Sequence, residues 1–538
     1  YMIGKKITEN IALAINHRAE TVESGALILA GTGFFGAMLS ILKNALLASR
    51  FGASQELDIY FAAFRVPDFF YNVFIFGALT AGFLPVFSRW LMQGKERAWM
   101  LVSSLFTSFL LFLGIVAIII FLFSENIAGI LVPGFSSASQ RDVASMLKIL
   151  MIQPILLAIS NVISSTLQVF RRFFIYSLAP IFYNLGIIAG ILWFSQKLGI
   201  WGVAWGVVFG AFLHLLVQVP AFRDLGYSFS LRLKESFTGL KDVFLLMIPR
   251  ALTLGAAQLN LVILTMIASV LPVGTLAIFN FADALQGVPL SLLVISFVTA
   301  AFPALTDLWT QDKKDSFRAL FLKTLGEIII WTVPASLLLL AFRQPIVEFT
   351  LTYGNFGPES QAKTVAAFSV FILSLPIQGL RLLLLRAFFA SGDTKTPLFS
   401  YFATLIVTIT VALWLSQYWH AAGLAAGIVA GSIVDSALLL FIFKRRIAGL
   451  DFGLISGILM RSIMIGGLAA LLGWIAFWGS GYFISQESRV SILLRLIVAS
   501  LPVFVVFFVG ILMYKLFDLR NFEVSYKIEN KNESAEHS

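Results

Sequence analysis

The chain has 538 residues, of which 59% are hydrophobic and 12% charged, with a mean hydropathy of +0.92. A soluble globular domain is about a quarter charged, so this composition excludes one and marks a polytopic membrane protein. The formal charge of +10 lies in loops between apolar segments, which points to anionic lipid headgroups and not to nucleic acid. The absence of cysteine removes disulfides, thiolate nucleophiles and Cys-based metal sites together.

Residues 3–18 are polar-rich and too short to span, so an interfacial amphipathic segment or an irregular lead-in is expected there, without a cleavable signal peptide. Runs of about 20 apolar residues, the length of a span, follow. Fourteen can be read, at 26–48, 60–88, 99–123, 143–169, 174–194, 201–221, 243–270, 276–306, 319–342, 364–389, 397–416, 421–443, 457–479 and 490–514. The expected fold is therefore an all-α polytopic bundle. An even number of spans places both termini on one side. Loops after even-numbered spans hold most of the basic residues, among them Arg89, Lys95, Arg97, Arg171, Arg172, Arg223, Lys241, Lys313, Lys314, Lys395 and the run from Lys444 to Arg446. Loops after odd-numbered spans hold only Arg50, Arg141, Lys197, Arg343 and Arg489. Basic loops stay inside, so both termini are expected in the cytoplasm. The polar tail over 517–538 is expected to be disordered.

The chain also repeats itself. The sixth span opens with Gly202, Gly206 and Gly210 spaced by four, and the twelfth with Gly423, Gly427 and Gly431. The second span ends between Pro85 and Trp90, and the eighth between Pro303 and Trp309. The fourth closes at Phe170-Arg171-Arg172 ahead of Pro180, and the tenth at Arg386-Ala387-Phe388 ahead of Pro397. Glycines spaced by four are common in membrane helices because they let backbones approach, which accounts for each motif singly. Their shared order argues for two six-span halves. The expected divisions are a lead-in over 1–24, a first lobe over 25–221, a cytoplasmic linker over 222–242, a second lobe over 243–443, two additional spans within 444–516 that could carry a groove for a lipid tail, and the tail. Paired bundles of this kind place a substrate between them and work by rocking.

Enzymatic chemistry has little support. The four histidines, His17, His214, His420 and His537, are scattered without metal-ligand spacing, and no phosphate-cradling loop or nucleophile elbow is present. No enzyme activity, cofactor or metal is expected. The chemistry lies instead in polar groups inside apolar runs, where a charge is unfavourable by a few kcal/mol or more (about 3 on insertion scales) and turns toward a wet interior. Lys43 and Asn44 sit mid-way along the first span, and Arg65, Asp68 and Asn72 follow along the second. Lys43 suits an anionic substrate, or else snorkels or pairs with an acid. Arg65 either reaches an interface or faces the cavity. Arg250 follows Pro249 as an interfacial anchor or cavity group, and Arg381 lies deeper in the tenth span than Arg386. Asp58 lies at the outer end of the second span. Asp283 is a lone acid in the eighth that can pair with one of these cations, and Asp435 is either a helix–helix hydrogen bond or part of an ion site. The excess of cations suggests a phosphate- or carboxylate-bearing substrate.

These motifs resemble the MurJ (MviN) family of lipid II flippases. In the first hairpin the resemblance rests on Phe51-Gly52-Ala53, Asp58, Phe64-Arg65-Val66-Pro67, Gly77-Ala78 and Pro85. Further on it rests on Pro133-Gly134-Phe135, Ala179-Pro180 with Asn184, Ala282-Asp283, Pro303, Tyr353-Gly354 with Phe356, and the run from Arg386 to Pro397. The resemblance implies a fold of the multidrug/oligosaccharidyl-lipid/polysaccharide exporter superfamily in a bacterial cytoplasmic membrane. It implies a cationic cavity that passes lipid II, an undecaprenyl-diphosphate glycopeptide, between leaflets by alternating access. Membrane potential or a monovalent cation gradient would drive the cycle without ATP, and the last two spans would hold the polyprenyl tail. This sequence departs from the family at the cavity. Where the family has arginines in spans one, two and eight, it has Ala37, Lys43, Tyr71 and Ala284, while Asn44 and Phe76 replace family acids. Either Arg65, Arg250 and Arg381 supply the missing charge, or the cargo is another polyprenyl-linked glycan. A non-transporting scaffold of the same fold is the third alternative.

Overall fold

The computed structural model describes residues 22–76, 79–230, 233–446, 452–484, 489–510 and 512. The expected lead-in over 3–18 and tail over 517–538 lie outside them. Among the described residues every regular element is a helix. The first are α1 (Val22–Phe51), α2 (Gln55–Phe70), α3 (Leu84–Met92), α4 (Lys95–Leu131), α5 (Ser137–Leu150), α6 (Ile152–Val169), α7 (Phe173–Ala189), α8 (Ser195–Leu198), α9 (Ile200–Leu216) and α10 (Val219–Arg223). Then come α11 (Leu233–Ser269), α12 (Thr275–Leu290), α13 (Ser296–Thr310), α14 (Lys314–Ala341) and α15 (Arg343–Leu351). The chain continues with α16 (Pro358–Leu373), α17 (Leu375–Ala390), α18 (Lys395–Trp419), α19 (Ala421–Arg446) and α20 (Phe452–Ser480). The last span, Arg489–Gly510, is α21.

Twelve of these stretches are long and apolar enough to cross a membrane, or thirteen if α16 and α17, bent by 46° at their junction, count as one span. The expected count of fourteen is thus not reproduced as fourteen continuous helices. The exception is the expected second span, 60–88. There α2 and α3 are separated by π-helical turns at Tyr71–Phe76 and Leu79–Phe83. Pro67 inside α2 donates no amide and crowds the preceding turn. A π turn takes in one extra residue and recurs at functional sites. Further π turns interrupt the fifth span at Gly190–Phe194 and the eighth at Ser291–Ile295.

The chain forms two compact units. The first comprises Tyr1–Val288, Thr350–Val370 and Asp393–Asp435, and the second Pro289–Phe349, Phe371–Gly392 and Ser436–Ser538. In lipid the apolar effect between helices is absent, so close packing must hold them together. Unit one shows how. A Cβ at Gly206 of α9 would fall 2.5 Å from Gly190 Cα, and one at Gly210 would fall 2.4 Å from the Tyr183 carbonyl oxygen. Helix α19 repeats the device on α18: a Cβ at Gly423 would lie 2.4 Å from Ser416 N and one at Gly427 2.7 Å from the Thr408 carbonyl oxygen. Both glycine stripes therefore seat on the helix that precedes them. Ser400 Oγ also donates to Asp435 across α18 and α19, which makes Asp435 a helix–helix partner.

Described residues within the expected linker over 222–242 pack against other parts of unit one. Tyr227 packs on Phe222 with ring centroids 4.7 Å apart and meets Trp99 edge-on at 5.6 Å, and the Ser230 amide donates to Ser103 Oγ at 3.1 Å. Unit two is built around an aromatic core in which Phe321 of α14 lies 4.5 Å from the Phe443 ring, with Phe317 and Phe388 against them. Helix α20 packs on α14, where Gly466 lies so close to Pro334 that a Cβ would fall 2.6 Å from its Cα.

Candidate functional site

Unit one holds an open cavity of 380 Å³. Its walls follow from helical periodicity. Phe61, the pair Phe64–Arg65, Asp68 and Asn72 follow one another at steps of three or four residues, so one face of α2 and the π turn after it carries all of them. Lys43, Asn44 and Leu47 do the same on α1, and Pro180, Tyr183 and Ile187 on α7. Gln153 and Leu157 of α6, His214 of α9 and Asn280 of α12 close the ring. Ser54 caps α2, its Oγ accepting from the Leu57 amide at 3.4 Å, and this fixes where the face begins.

Four of the expected site residues, Lys43, Asn44, Arg65 and Asn72, line this cavity together. Arg65 is anchored across the unit: Nε donates to Thr265 Oγ1 of α11 at 3.0 Å, and Nη2 donates to Asn280 Oδ1 of α12 at 2.8 Å. Both acceptors are held by their own helices, with Thr265 Oγ1 donating to the Leu261 carbonyl at 2.9 Å and Asn280 Nδ2 to the Leu276 carbonyl at 2.7 Å. Asn72 Nδ2 donates to the Asp68 carbonyl at 2.9 Å. Lys43 and the Asp68 carboxylate feel one another electrostatically, yet neither makes an ion pair or a side-chain hydrogen bond among the described residues. Two cations and one acid therefore face the same space.

The other expected residues have different places. Asp58 does not line the cavity. It is buried, and its carboxylate accepts from the Gly274 amide at 2.7 Å and the Ala277 amide at 2.8 Å. An acid that looks cheap at the start of its own helix in fact caps the N-terminus of α12, where backbone amides and the helix dipole favour it. Asp283 accepts from Gln286 Nε2 at 3.1 Å and acts on Arg65 electrostatically, without a direct ion pair. Arg250 is half-buried on α11 and absent from the cavity wall. Arg381 is half-buried on α17 within unit two. Of the three cations that might replace missing charge, only Arg65 lines this cavity. Tyr71, where the resemblance leads one to expect an arginine, is part of the wall and offers a hydroxyl. Ala37 and Ala284 are half-buried.

Sequence reasoning missed several lining groups. Gln153 Nε2 donates to the Tyr183 hydroxyl at 3.2 Å. His214 Nδ1 shares a 2.6 Å hydrogen bond with Ser160 Oγ, which also accepts from Gln218 Nε2 at 2.8 Å, and Ser164 Oγ donates to Gln218 Oε1 at 2.7 Å. This polar ladder locks α6 to α9. The available signal was the run of neutral polar residues, Gln153, Ser160 and Ser164, along one otherwise apolar span. The cavity can accept an anionic oxygen at Lys43 and at Arg65 Nη1, which has no hydrogen bond among the described residues. Tyrosine hydroxyls and amide groups around them suit a polyhydroxylated neighbour.

The family model described as "Lipid II flippase MurJ" matches residues 47–498. A probable lipid II flippase MurJ of Buchnera aphidicola is 27% identical over 462 residues, covering 84% of this chain and 90% of that protein. The lipid II flippase MurJ of Burkholderia cenocepacia is 25% identical over 430 residues, covering 78% and 83%. In fold, a solved lipid II flippase MurJ in an inward closed conformation matches at a TM-score of 0.74 and 21% identity, over 92% of this chain and all of that one. An inward-facing multidrug resistance MATE transporter of the MOP superfamily matches at 0.65 and 14% identity, over 77% of this chain and 94% of its own. With the family model running through most of its length, this multi-pass membrane protein belongs to the MurJ lipid II flippase family.

Proposed function

We propose that this protein is a flippase for lipid II and not a catalyst, and that the unit-one cavity receives the diphosphate–sugar head. One observation carries the reading: Lys43 lines a 380 Å³ cavity beside Arg65 and Asp68 with no ion pair or hydrogen bond of its own among the described residues. A cation so placed inside an apolar span is unfavourable unless something anionic visits it. Family membership supports lipid II as the cargo. The head would pass from the inner to the outer leaflet of a bacterial cytoplasmic membrane by alternating access, with both termini cytoplasmic. The basic-loop asymmetry supports that orientation. The apolar faces of α20 and α21 would accommodate the polyprenyl tail. Membrane potential or a monovalent cation gradient would bias the cycle, since a site holding two cations and one acid changes its net charge when a diphosphate enters.

Native mass spectrometry of the purified protein tests the cargo, with lipid II set against undecaprenyl phosphate and an ordinary anionic phospholipid. Preferential retention of lipid II, weakened by Lys43→Ala, is the expected result. Equal retention of all three would transfer the fold to another polyprenyl-linked glycan, consistent with Ala37, Tyr71 and Ala284 at the family's arginine positions.

A further inference from the structure

Unit two contains a cavity of its own, of 290 Å³, walled by the end of α14, by α15, and by α20 and α21. Its polar groups are Arg343, Gln344, Glu348 and Arg495, with Trp474 and Trp478 beside them. Arg495 is only 4% exposed. Its Nε and Nη2 donate to the Phe477 carbonyl at 3.1 and 3.0 Å, and its guanidinium lies 4.3 Å from the Phe477 ring centroid. Gly481 leaves room for it, since a Cβ there would come 3.1 Å from Nη2. The bonds to Phe477 are structural: they satisfy a carbonyl in the last turn of α20. They leave Nη1 without a hydrogen bond among the described residues. Arg343 gives one nitrogen to the Leu340 carbonyl, and its others have no such partner. Glu348 pairs with neither arginine within the described residues. Two guanidinium groups thus share a cavity with one unpaired acid.

The setting is a membrane surface. The apolar stretches of α20 and α21 have mean hydropathies of 1.8 and 2.7, yet only 22% and 17% of them is buried in protein, so their outer faces meet lipid. Trp474 and Trp478 are 48% and 52% exposed, and the turn after them exposes Tyr482 and Phe483 at 92% each. Tryptophan and tyrosine at the end of an apolar helix mark the headgroup level. At that level the anion in reach of a guanidinium is a lipid phosphate, which it grips by charge-assisted hydrogen bonds.

We propose that this cavity binds the phosphate headgroup of an anionic membrane phospholipid, held by Arg343 and Arg495 Nη1, with its acyl chains along Trp474 and Trp478. It shares no lining residue with the unit-one cavity and does not depend on what that cavity carries. Native mass spectrometry of the full chain with phosphatidylglycerol or phosphatidylcholine tests it. Arg343 is exposed, so Arg343→Gln leaves the fold intact, which its thermal midpoint checks. Loss of one charge-assisted contact should weaken phosphatidylglycerol retention roughly tenfold and spare phosphatidylcholine. Arg495→Lys keeps the charge but gives up the fork, and should weaken retention by less. Unchanged phosphatidylglycerol retention in Arg343→Gln overturns the proposal. So does displacement by millimolar inorganic phosphate, which would make the site one for a free anion, or equal competition by undecaprenyl diphosphate, which would make it part of the transport path.

Discussion

Removing the Lys43 ammonium isolates the transport chemistry from the fold. Lys43 lines the unit-one cavity without an ion pair or hydrogen bond among the described residues. Lys43→Ala therefore breaks no hydrogen bond or direct ion pair among the described residues and gives up only the longer-range attraction to Asp68, so its effect on stability should stay within about 1 kcal/mol. Its effect on the substrate should be much larger. A hydrogen bond to a charged group contributes about 1.5–3 kcal/mol, which corresponds to roughly a ten- to hundredfold weaker hold on the diphosphate head. Arg65 cannot compensate, because two of its nitrogens are committed to Thr265 and Asn280. Lys43→Arg restores the charge and adds a second donor direction, so it should match or exceed the parent. The assay is the flipping rate of lipid II in proteoliposomes, read alongside the thermal midpoint of the same preparations. Parental flipping by Lys43→Ala would refute the reasoning outright. A large fall in its midpoint would refute it differently, by showing that the ammonium holds the fold together.

Three further outcomes follow from the geometry. Asp58→Ala leaves two buried amides of α12 without an acceptor and should destabilise the protein by about 2–4 kcal/mol in thermal or denaturant unfolding, while Asp58→Asn keeps one acceptor and should have a smaller effect. Gly206→Leu puts a side chain where Gly190 Cα already lies 2.5 Å from the Cβ position, and folded protein should be lost from membranes, whereas Gly114→Ala meets no atom within 4 Å and should be tolerated. Asp68→Asn removes the one acid lining the cavity, so lipid II should be retained more tightly in native mass spectrometry; weaker retention would mean that the carboxylate orients Lys43 and does not oppose the substrate.

The spans were legible because a bilayer demands long apolar runs, and the polar face of α2 was legible because charges in such runs must converge on water. Lys43, Asn44, Arg65 and Asn72 meet for that reason. What the sequence hid were partnerships over long separations. Asp58 reads as an acid at the start of its own helix, and nothing local reveals that its amide donors lie 216 and 219 residues away. His214 has no metal-ligand spacing, so its bond to Ser160 on another helix leaves no sequence trace. Arg250 and Arg381 look equivalent to Arg65 in composition, but only tertiary packing decides which apolar-run cation reaches the cavity. Arg495 was unmarked because a basic residue near a span's end is usually a headgroup anchor, and its burial against Phe477 depends on the neighbouring helix.

The π turn at Tyr71–Phe76 bears on how positions along this helix are to be counted. Such a turn holds one residue more than the α-helical turn it replaces, so it accommodates an extra residue without breaking the membrane segment. In an uninterrupted α-helix one extra residue would rotate everything after it by about 100°, since each residue advances the helix by a 3.6th of a turn, and the wide turn takes that residue up instead. Arg65 and Asp68 before the turn and Asn72 within it accordingly face the same cavity. Numbering through Tyr71 therefore counts a residue that an uninterrupted helix of the same length would not hold. In this helix facing is a better guide than spacing: Arg65, a turn and a half before Tyr71, lines the same cavity wall.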